Sequence, residues 1–178
     1  MPKRDEESIE TKMRELLDKQ DIHETLLRYC RAIDRHDEEL LRSVYHPDAM
    51  DNHGIQNGTA SEFIAWAMKT LHENDRTTHL ISNVMIELHG NTAHSESYFL
   101  TVVRRQIQGR FIDVTIAGRY LDLFERRGSH WKIARRQVVI DWNRVDPVEG
   151  SVTLGQFVLG KRSREDLVYK EGLTHNDH

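Results

Sequence analysis

The chain has 178 residues, 38% of them hydrophobic and 30% charged, with a formal net charge of −4. That length suits one domain with a real core and is short for two, no apolar run reaches the roughly 18 residues of a membrane span, and the acidic balance leaves no basic footprint for DNA or RNA. The one cysteine, Cys30, excludes an internal disulfide and a cysteine-based zinc cluster. The charged stretch Met1 to Glu15 lacks the apolar segment of a signal peptide, so the expected location is cytoplasmic.

Residues from about Asp5 to Lys19 read as an N-terminal helix, with Ile9, Met13, Leu16 and Leu17 at helical spacing, expected to pack as a lid or arm. Asp21-Ile22-His23-Glu24 has capping-box spacing and restarts helix through Asp34. Ile22, Leu26, Tyr29 and Ile33 fall within a stripe about 60° wide, which Cys30 and Leu27 broaden. Cys30 therefore reads as a buried thiol. Asp34 projects between Cys30 and Leu27, on the side that tertiary structure should cover, where a carboxylate must be paired, hydrogen-bonded or put to use. The bland alternative is that it caps the short helix that follows, about Asp37 to Tyr45.

His46-Pro47-Asp48 ends that helix, and Ala49 to His53 predicts a short strand before the Asn57-Gly58 turn. From Thr59 or Ser61 as cap, Phe63, Trp66, Ala67, Thr70 and Leu71 repeat at helical spacing. Beyond Asn74 the chain turns to β-branched and aromatic residues, with turn signals at His89-Gly90-Asn91, Gln108-Gly109 and Arg127-Gly128-Ser129. Four strands follow, at about 79–88, 92–106, 110–126 and 130–142, and short turns make them an antiparallel meander. Helices first and a long curved antiparallel sheet after them describe an α+β fold with the N-terminal helices across one face of the sheet, and such a sheet can curl into a cone-shaped form, the helices on its concave face, whose open end is a pocket. Past Pro147, Val152-Thr153-Leu154 and Phe157-Val158-Leu159 could add a strand or plug, whereas Lys161 to His178 is polar and expected to be partly mobile.

His79 is the natural partner for Asp34. Alternation places His79, Ile81, Asn83 and Met85 on one face of the first long strand, so a histidine at the open end of the sheet would face the helix that carries the carboxylate. Such an imidazole would be a base with its tautomer fixed by Asp34; the plain reading is a solvent-facing or merely hydrogen-bonded strand-end histidine. Arg76 could point into the open end or lie solvated in the loop Glu73-Asn74-Asp75-Arg76, and Tyr98 could line the pocket or pack on the sheet. Asp113 and Asp141 are lesser candidates that could simply face water. The strongest competing chemistry is a metal site from His46, Asp48, Asp51 and His53, in a chain with 11 histidines, although His46-Pro47-Asp48 reads equally well as a turn; the reading adopted is no metal. Glycine supplies neither a P-loop nor a dinucleotide fingerprint, and no cofactor is expected.

Leu27-Arg28-Tyr29-Cys30-Arg31-Ala32-Ile33-Asp34, Tyr45-His46-Pro47-Asp48-Ala49, Thr78-His79-Leu80-Ile81-Ser82-Asn83, Gly118-Arg119-Tyr120 and Trp131-Lys132-Ile133, in that order and spacing, resemble the SnoaL-like branch of the nuclear transport factor 2-like superfamily over roughly residues 10–145, leaving 146–178 as a C-terminal extension of one domain. Enzymes of this branch include scytalone dehydratase, bile-acid 7α-dehydratase and hexachlorocyclohexane dehydrochlorinase. The resemblance implies a mostly apolar pocket and an Asp–His pair, matched by Asp34 and His79, that performs proton abstraction and elimination without a cofactor. It implies a pocket tyrosine, matched by Tyr29, that donates a proton or polarises a substrate oxygen. Tyr45 and a pocket arginine are further implied substrate contacts; Arg136 is the choice, but Arg135 shares strand parity with Trp131 and Ile133, so a bulge decides between them. The expected function is a lyase releasing water, halide or formaldehyde from a hydrophobic, hydroxylated cyclic or aromatic molecule, assembled as a homo-oligomer, with a trimer favoured. An isomerase or hydrolase in the same pocket, or a non-catalytic binding protein, are the rivals.

Overall fold

The structure is a computed structural model that describes residues 8–150 and 155–170. Helix α1 runs from Ile9 to Arg35, α2 from Glu38 to Ser43 and α3 from Ala60 to Leu71; the strands are β1 (Tyr45–Asn52), β2 (Asn57–Thr59), β3 (Asn74–His89), β4 (Thr92–Ile107), β5 (Arg110–Arg127) and β6 (His130–Pro147). The sheet order is β2-β1-β6-β5-β4-β3. The predicted meander β3 to β6 is antiparallel throughout, but β1 joins β6 in parallel, so the curled, unclosed sheet is mixed. No helix among the described residues is long and apolar enough to cross a membrane.

The two predicted N-terminal helices are one. Asp21 to Glu24 lies inside α1 rather than capping a new helix, since helix on both sides of it can continue without a breaker; Ser8 is the cap, accepting from the Thr11 amide. The first turns do not pack as a lid: Ile9, Met13, Leu16 and Leu17 are all exposed. Residues 5–7 of that predicted helix lie outside the described residues. From Asp18 onward α1 is docked, with Asp18 accepting from the Trp131 indole at 2.8 Å and from Arg126 at 2.9 Å. Ile22, Leu26, Ala32 and Ile33 are buried against β3 and β6, each larger side chain contributing about 1.5–3 kcal/mol. Leu27 lies outside this face and is exposed. His36, in the left-handed conformation, ends α1, and Asp37 rather than Asp34 caps α2. Thr59 and Glu62 form a full capping box at the start of α3.

Bulges shape the sheet. Asn83 adopts a left-handed φ of 48° where β3 slips against β4, which flips the face: Val84 and Ile86 turn toward the core while Met85, expected beside His79, is exposed. Gly118 sits at a second slip, between β5 and β6; a Cβ there would meet the Val139 carbonyl and come within 2.8 Å of the Phe99 ring, so only glycine lets that ring lie flat on the sheet. A third slip, at Leu123/Phe124 against β6, turns Arg136 inward and leaves Arg135 exposed.

The tail adds neither strand nor plug at Phe157-Val158-Leu159, which is exposed; Val152-Thr153-Leu154 lies outside the described residues. Within the polar stretch from Lys161, residues 161–170 form a strap tied across the ends of the helices. Asp166 accepts from the Lys161 amide at 2.6 Å and the Val168 amide at 3.1 Å and faces Arg35, Tyr169 donates to Asp37 at 2.8 Å, and Arg164 bridges Asp37 and Glu39. The remainder, 171–178, lies outside the described residues.

Candidate active site

Between α1, α3 and the concave face of the sheet lies a cavity of about 230 Å³ bordered by Ile33, Phe63, Trp66, Phe99 and Ile116, with His53, His79, Tyr29, Tyr120, Thr77 and Thr101 as its polar side chains. Sequence logic explains the placement. Tyr29 and Ile33 are one helical turn apart on the buried face of α1, Phe63, Trp66 and Ala67 repeat along α3, and Thr77 and His79 alternate inward along β3.

Asp34 and His79 meet as expected. Asp34 Oδ1 lies 2.7 Å from His79 Nδ1, and its Oδ2 accepts the His79 backbone N–H at 2.9 Å. Both side chains are nearly buried, at 14% and 10% exposure, so the pair is little screened by water. An acceptor on Nδ1 fixes the proton there and leaves Nε2 as the nitrogen available to the cavity. Opposite His79 on β4, Thr101 points inward, and its hydroxyl, like that of Thr77, is buried without a hydrogen-bond partner. Both threonines border the cavity and can donate to or accept from a ligand oxygen.

A second aspartate–histidine pair stands at the end of β1, Asp51 within the strand and His53 just past it. Asp51 is bonded to His53 Nδ1 and accepts from the Tyr45 hydroxyl at 2.6 Å, while His53 Nε2 lies 3.2 Å from the Tyr29 hydroxyl. The His53 ring stacks on Phe63 with centroids 4.1 Å apart. Burial pushes the Tyr29 phenol well above its ordinary range, against the pull of Arg136, so Tyr29 remains a neutral donor. Burial likewise pushes the Cys30 thiol up to about 12, which keeps it inert as a nucleophile.

Arg136 is fully buried in a two-point pair with Asp122, both contacts at 2.8 Å, and its guanidinium lies 4.1 Å from the Tyr29 ring and 4.0 Å from the Tyr120 ring. Burial opposes its charge, yet Asp122 and the neighbouring tyrosines hold Arg136 well above its ordinary value. The bulge thus selects Arg136 over Arg135, but Arg136 does not border the cavity: it supports the tyrosines that do.

Three other expected ligand contacts are corrected by position. Tyr45 is buried and reaches Asp51 instead of the cavity, because its β1 position faces the core beneath α3. Tyr98 is 42% exposed on the outer sheet face, since its neighbour Phe99 takes the inward position. Arg76 is exposed and bonds the Asp75 carbonyl, one residue out of phase with the inward Thr77. Asp113 pairs with Arg104 and Asp141 with Arg119, away from the cavity. The four proposed metal-ligand residues do not converge: His46 bonds the Glu125 carbonyl and Asp48 pairs with Arg127, leaving only Asp51 and His53 together.

Sequence reasoning gives no sign of Arg162. Carried by the strap, it donates to the carbonyls of Leu71 and Asn74, and its Nε and Nη2 are buried without a hydrogen-bond partner. Burial lowers its pKa while Asp34 works in the opposite direction, which places this cation in the field of the Asp34–His79 pair. Thr77 and Thr101 were legible in principle from strand alternation with His79, but a lone threonine in a strand carries no chemical signal.

The SnoaL-like domain model matches residues 14–137. Among solved structures, a hexachlorocyclohexane dehydrochlorinase, LinA type 2, superposes with a TM-score of 0.70 at 19% identity, covering 81% of this chain and 99% of that one. A scytalone dehydratase-like protein from Novosphingobium aromaticivorans gives 0.67 at 18% identity, covering 79% and 95%. The LinA-type3 dehydrochlorinase from Novosphingobium barchaimii LL02 gives 0.66 at 16%, covering 80% and 98%. No protein of curated function matches the sequence significantly. At these identities the structural likenesses establish the nuclear transport factor 2-like fold, and the match over most of the chain establishes the family: this protein belongs to the SnoaL-like domain family.

Proposed function

We propose that this protein is a cofactor-independent lyase in which His79, oriented by Asp34, removes a proton from a compact apolar substrate and so expels a small group from the neighbouring carbon. The observation that carries this reading is the Asp34–His79 pair, joined at 2.7 Å and 2.9 Å, at the wall of a mostly apolar cavity. Asp34 stabilises the imidazolium that forms, and Nε2 is the basic atom. Tyr29, neutral and bordering the cavity, and the free hydroxyls of Thr77 and Thr101 meet oxygen on the substrate. The dehydratase and dehydrochlorinase names of the structural neighbours support elimination as the reaction type.

The cavity of about 230 Å³ lies below the roughly 300–1,000 Å³ typical of sites for drug-sized ligands, which favours a single-ring hydroxylated aromatic over a steroid. Water and halide leave by this step; formaldehyde leaves a hydroxymethyl substrate when the same base takes the O–H proton instead, the O–H electron pair forming the C=O bond as the C–C bond breaks. Assembly as a homo-oligomer, a trimer in our reading, is supported by the exposed apolar residues Met50, Leu80, Tyr98 and Leu121 on the sheet face turned away from the helices.

The test is incubation of the protein and of His79→Ala with a panel of hydroxylated and halogenated aromatic compounds, without added cofactor or metal, with products read by mass spectrometry. Loss of water, hydrogen halide or formaldehyde only with the intact protein is the expected result. A product of unchanged mass would instead favour an isomerase, and equal turnover by the variant would remove His79 from the mechanism.

A further inference from the structure

We propose that His53 is a second proton-handling group in the same cavity, supplying through Tyr29 the proton that a departing oxygen takes up while His79 removes one from carbon. The inference rests on the elimination reading above and goes beyond it by dividing acid and base between two histidines.

The geometry repeats that of the first pair with one addition. Asp51 is buried to 1% exposure and held by the Tyr45 hydroxyl, so its carboxylate is fixed against His53 Nδ1. Stacking on Phe63 holds the plane of the His53 ring. His53 Nε2 then faces the Tyr29 hydroxyl at 3.2 Å, and His53, Tyr29 and His79 all border the one cavity. A histidine serving only to staple β1 would need neither the cavity wall nor a phenol in front of its second nitrogen.

The step balances. His53 begins as the imidazolium against the Asp51 carboxylate, and its Nε2–H donates to the Tyr29 oxygen while the Tyr29 O–H donates to the leaving oxygen. His79 Nε2 takes the proton from carbon, the C–H electron pair becomes the new double bond, and the C–O bond breaks with its pair going to oxygen. The leaving oxygen receives the Tyr29 proton as the His53 proton replaces it, and water departs. His53 ends neutral and His79 cationic, so the net charge is unchanged, and exchange with solvent resets both. A relay is needed because burial strongly disfavours a phenolate at Tyr29, so the phenol can hand on a proton only if it is replenished at the same moment.

A departing hydroxyl requires this proton and a departing chloride does not, so the experiment compares a β-hydroxy aryl ketone with the β-chloro ketone of the same skeleton, each rate corrected for spontaneous elimination. In His53→Gln the ratio of hydroxyl to chloride rates should fall about a hundredfold, the usual scale of a lost general acid. Tyr29→Phe should show the same fall, and it carries the test if His53→Gln does not fold. His79→Gln should lower both rates and leave the ratio within about threefold. If His53→Gln and Tyr29→Phe lower both rates in proportion, or neither, the proposal is overturned while the lyase reading stands. If the wild type eliminates neither group, the lyase reading fails and the proposal with it.

Discussion

Asp34 grips His79 at two points, the backbone N–H with one carboxylate oxygen at 2.9 Å and the ring Nδ1 with the other at 2.7 Å. One residue thus ties the β3 backbone at His79 to α1 and sets which ring nitrogen faces the cavity. Asp34→Asn keeps the shape but removes the charge that stabilises the imidazolium. We expect kcat to fall by about 10²–10⁴ with a smaller change in KM, measured by steady-state kinetics on whichever substrate the panel identifies.

Arg136 and Asp122 form a pair with both side chains at 0% exposure. Arg136→Met leaves a carboxylate buried alone, and urea denaturation should show a loss of about 3–5 kcal/mol. In the double variant Arg136→Met/Asp122→Leu the stranded charge is gone, and most of that loss should be recovered. Equal losses in the single and double variants would show that the cost comes from the missing packing against Tyr29 and Tyr120.

Burial is also the leading cause of the raised pKa of Tyr29, Tyr45 and Tyr120. In the unfolded chain these phenols ionise near pH 10, whereas in the fold they stay protonated. The folded state therefore holds more protons above that pH: stability from this source is complete below about pH 10 and falls as pH rises, by up to about 1.4 kcal/mol per pH unit for each tyrosine. Chemical denaturation between pH 9 and 11, roughly centred on the tyrosine value, should show this slope, and Tyr120→Phe should flatten it.

Much of this was legible in the sequence, for reasons of periodicity. The stripe of Ile22, Leu26, Tyr29 and Ile33 and the alternation at His79 are strong local signals, and they bring Asp34 and His79 together as expected. What failed was whatever depends on a slip of register or a distant partner. The bulge at Asn83 reverses the faces of β3, which no alternation count foresees and which places Met85 outside. The parallel pairing of β1 with β6 joins segments far apart in the chain, and only that pairing brings Asp51 and His53 under Tyr29. Read locally, those two residues belong with His46 and Asp48 to a cluster whose metal reading is the rival set aside; in the fold they are a hydrogen-bonded pair.

The strap offers an acid-side counterpart. Backbone hydrogen bonds from Lys161 and Val168 hold the Asp166 carboxyl below its ordinary value, with Arg35 adding a smaller pull. A depressed carboxyl contributes stability that is present above its unfolded pKa, near 3.9, and is lost as pH falls through the lower folded value. Hydrogen exchange at the Lys161 and Val168 amides should therefore accelerate, relative to the sheet, as the pH is lowered past about 4. Asp166→Ala should release the strap at neutral pH.

The central claim is that His79 takes a proton from carbon, and it can be measured apart from any leaving group. An aryl ketone with no group to expel, bound in deuterated water, should gain deuterium at the carbon beside its carbonyl in the presence of the wild-type protein and not with His79→Gln, as read by proton magnetic resonance. Exchange at the same rate with both proteins, once the uncatalysed rate is subtracted, would contradict the account.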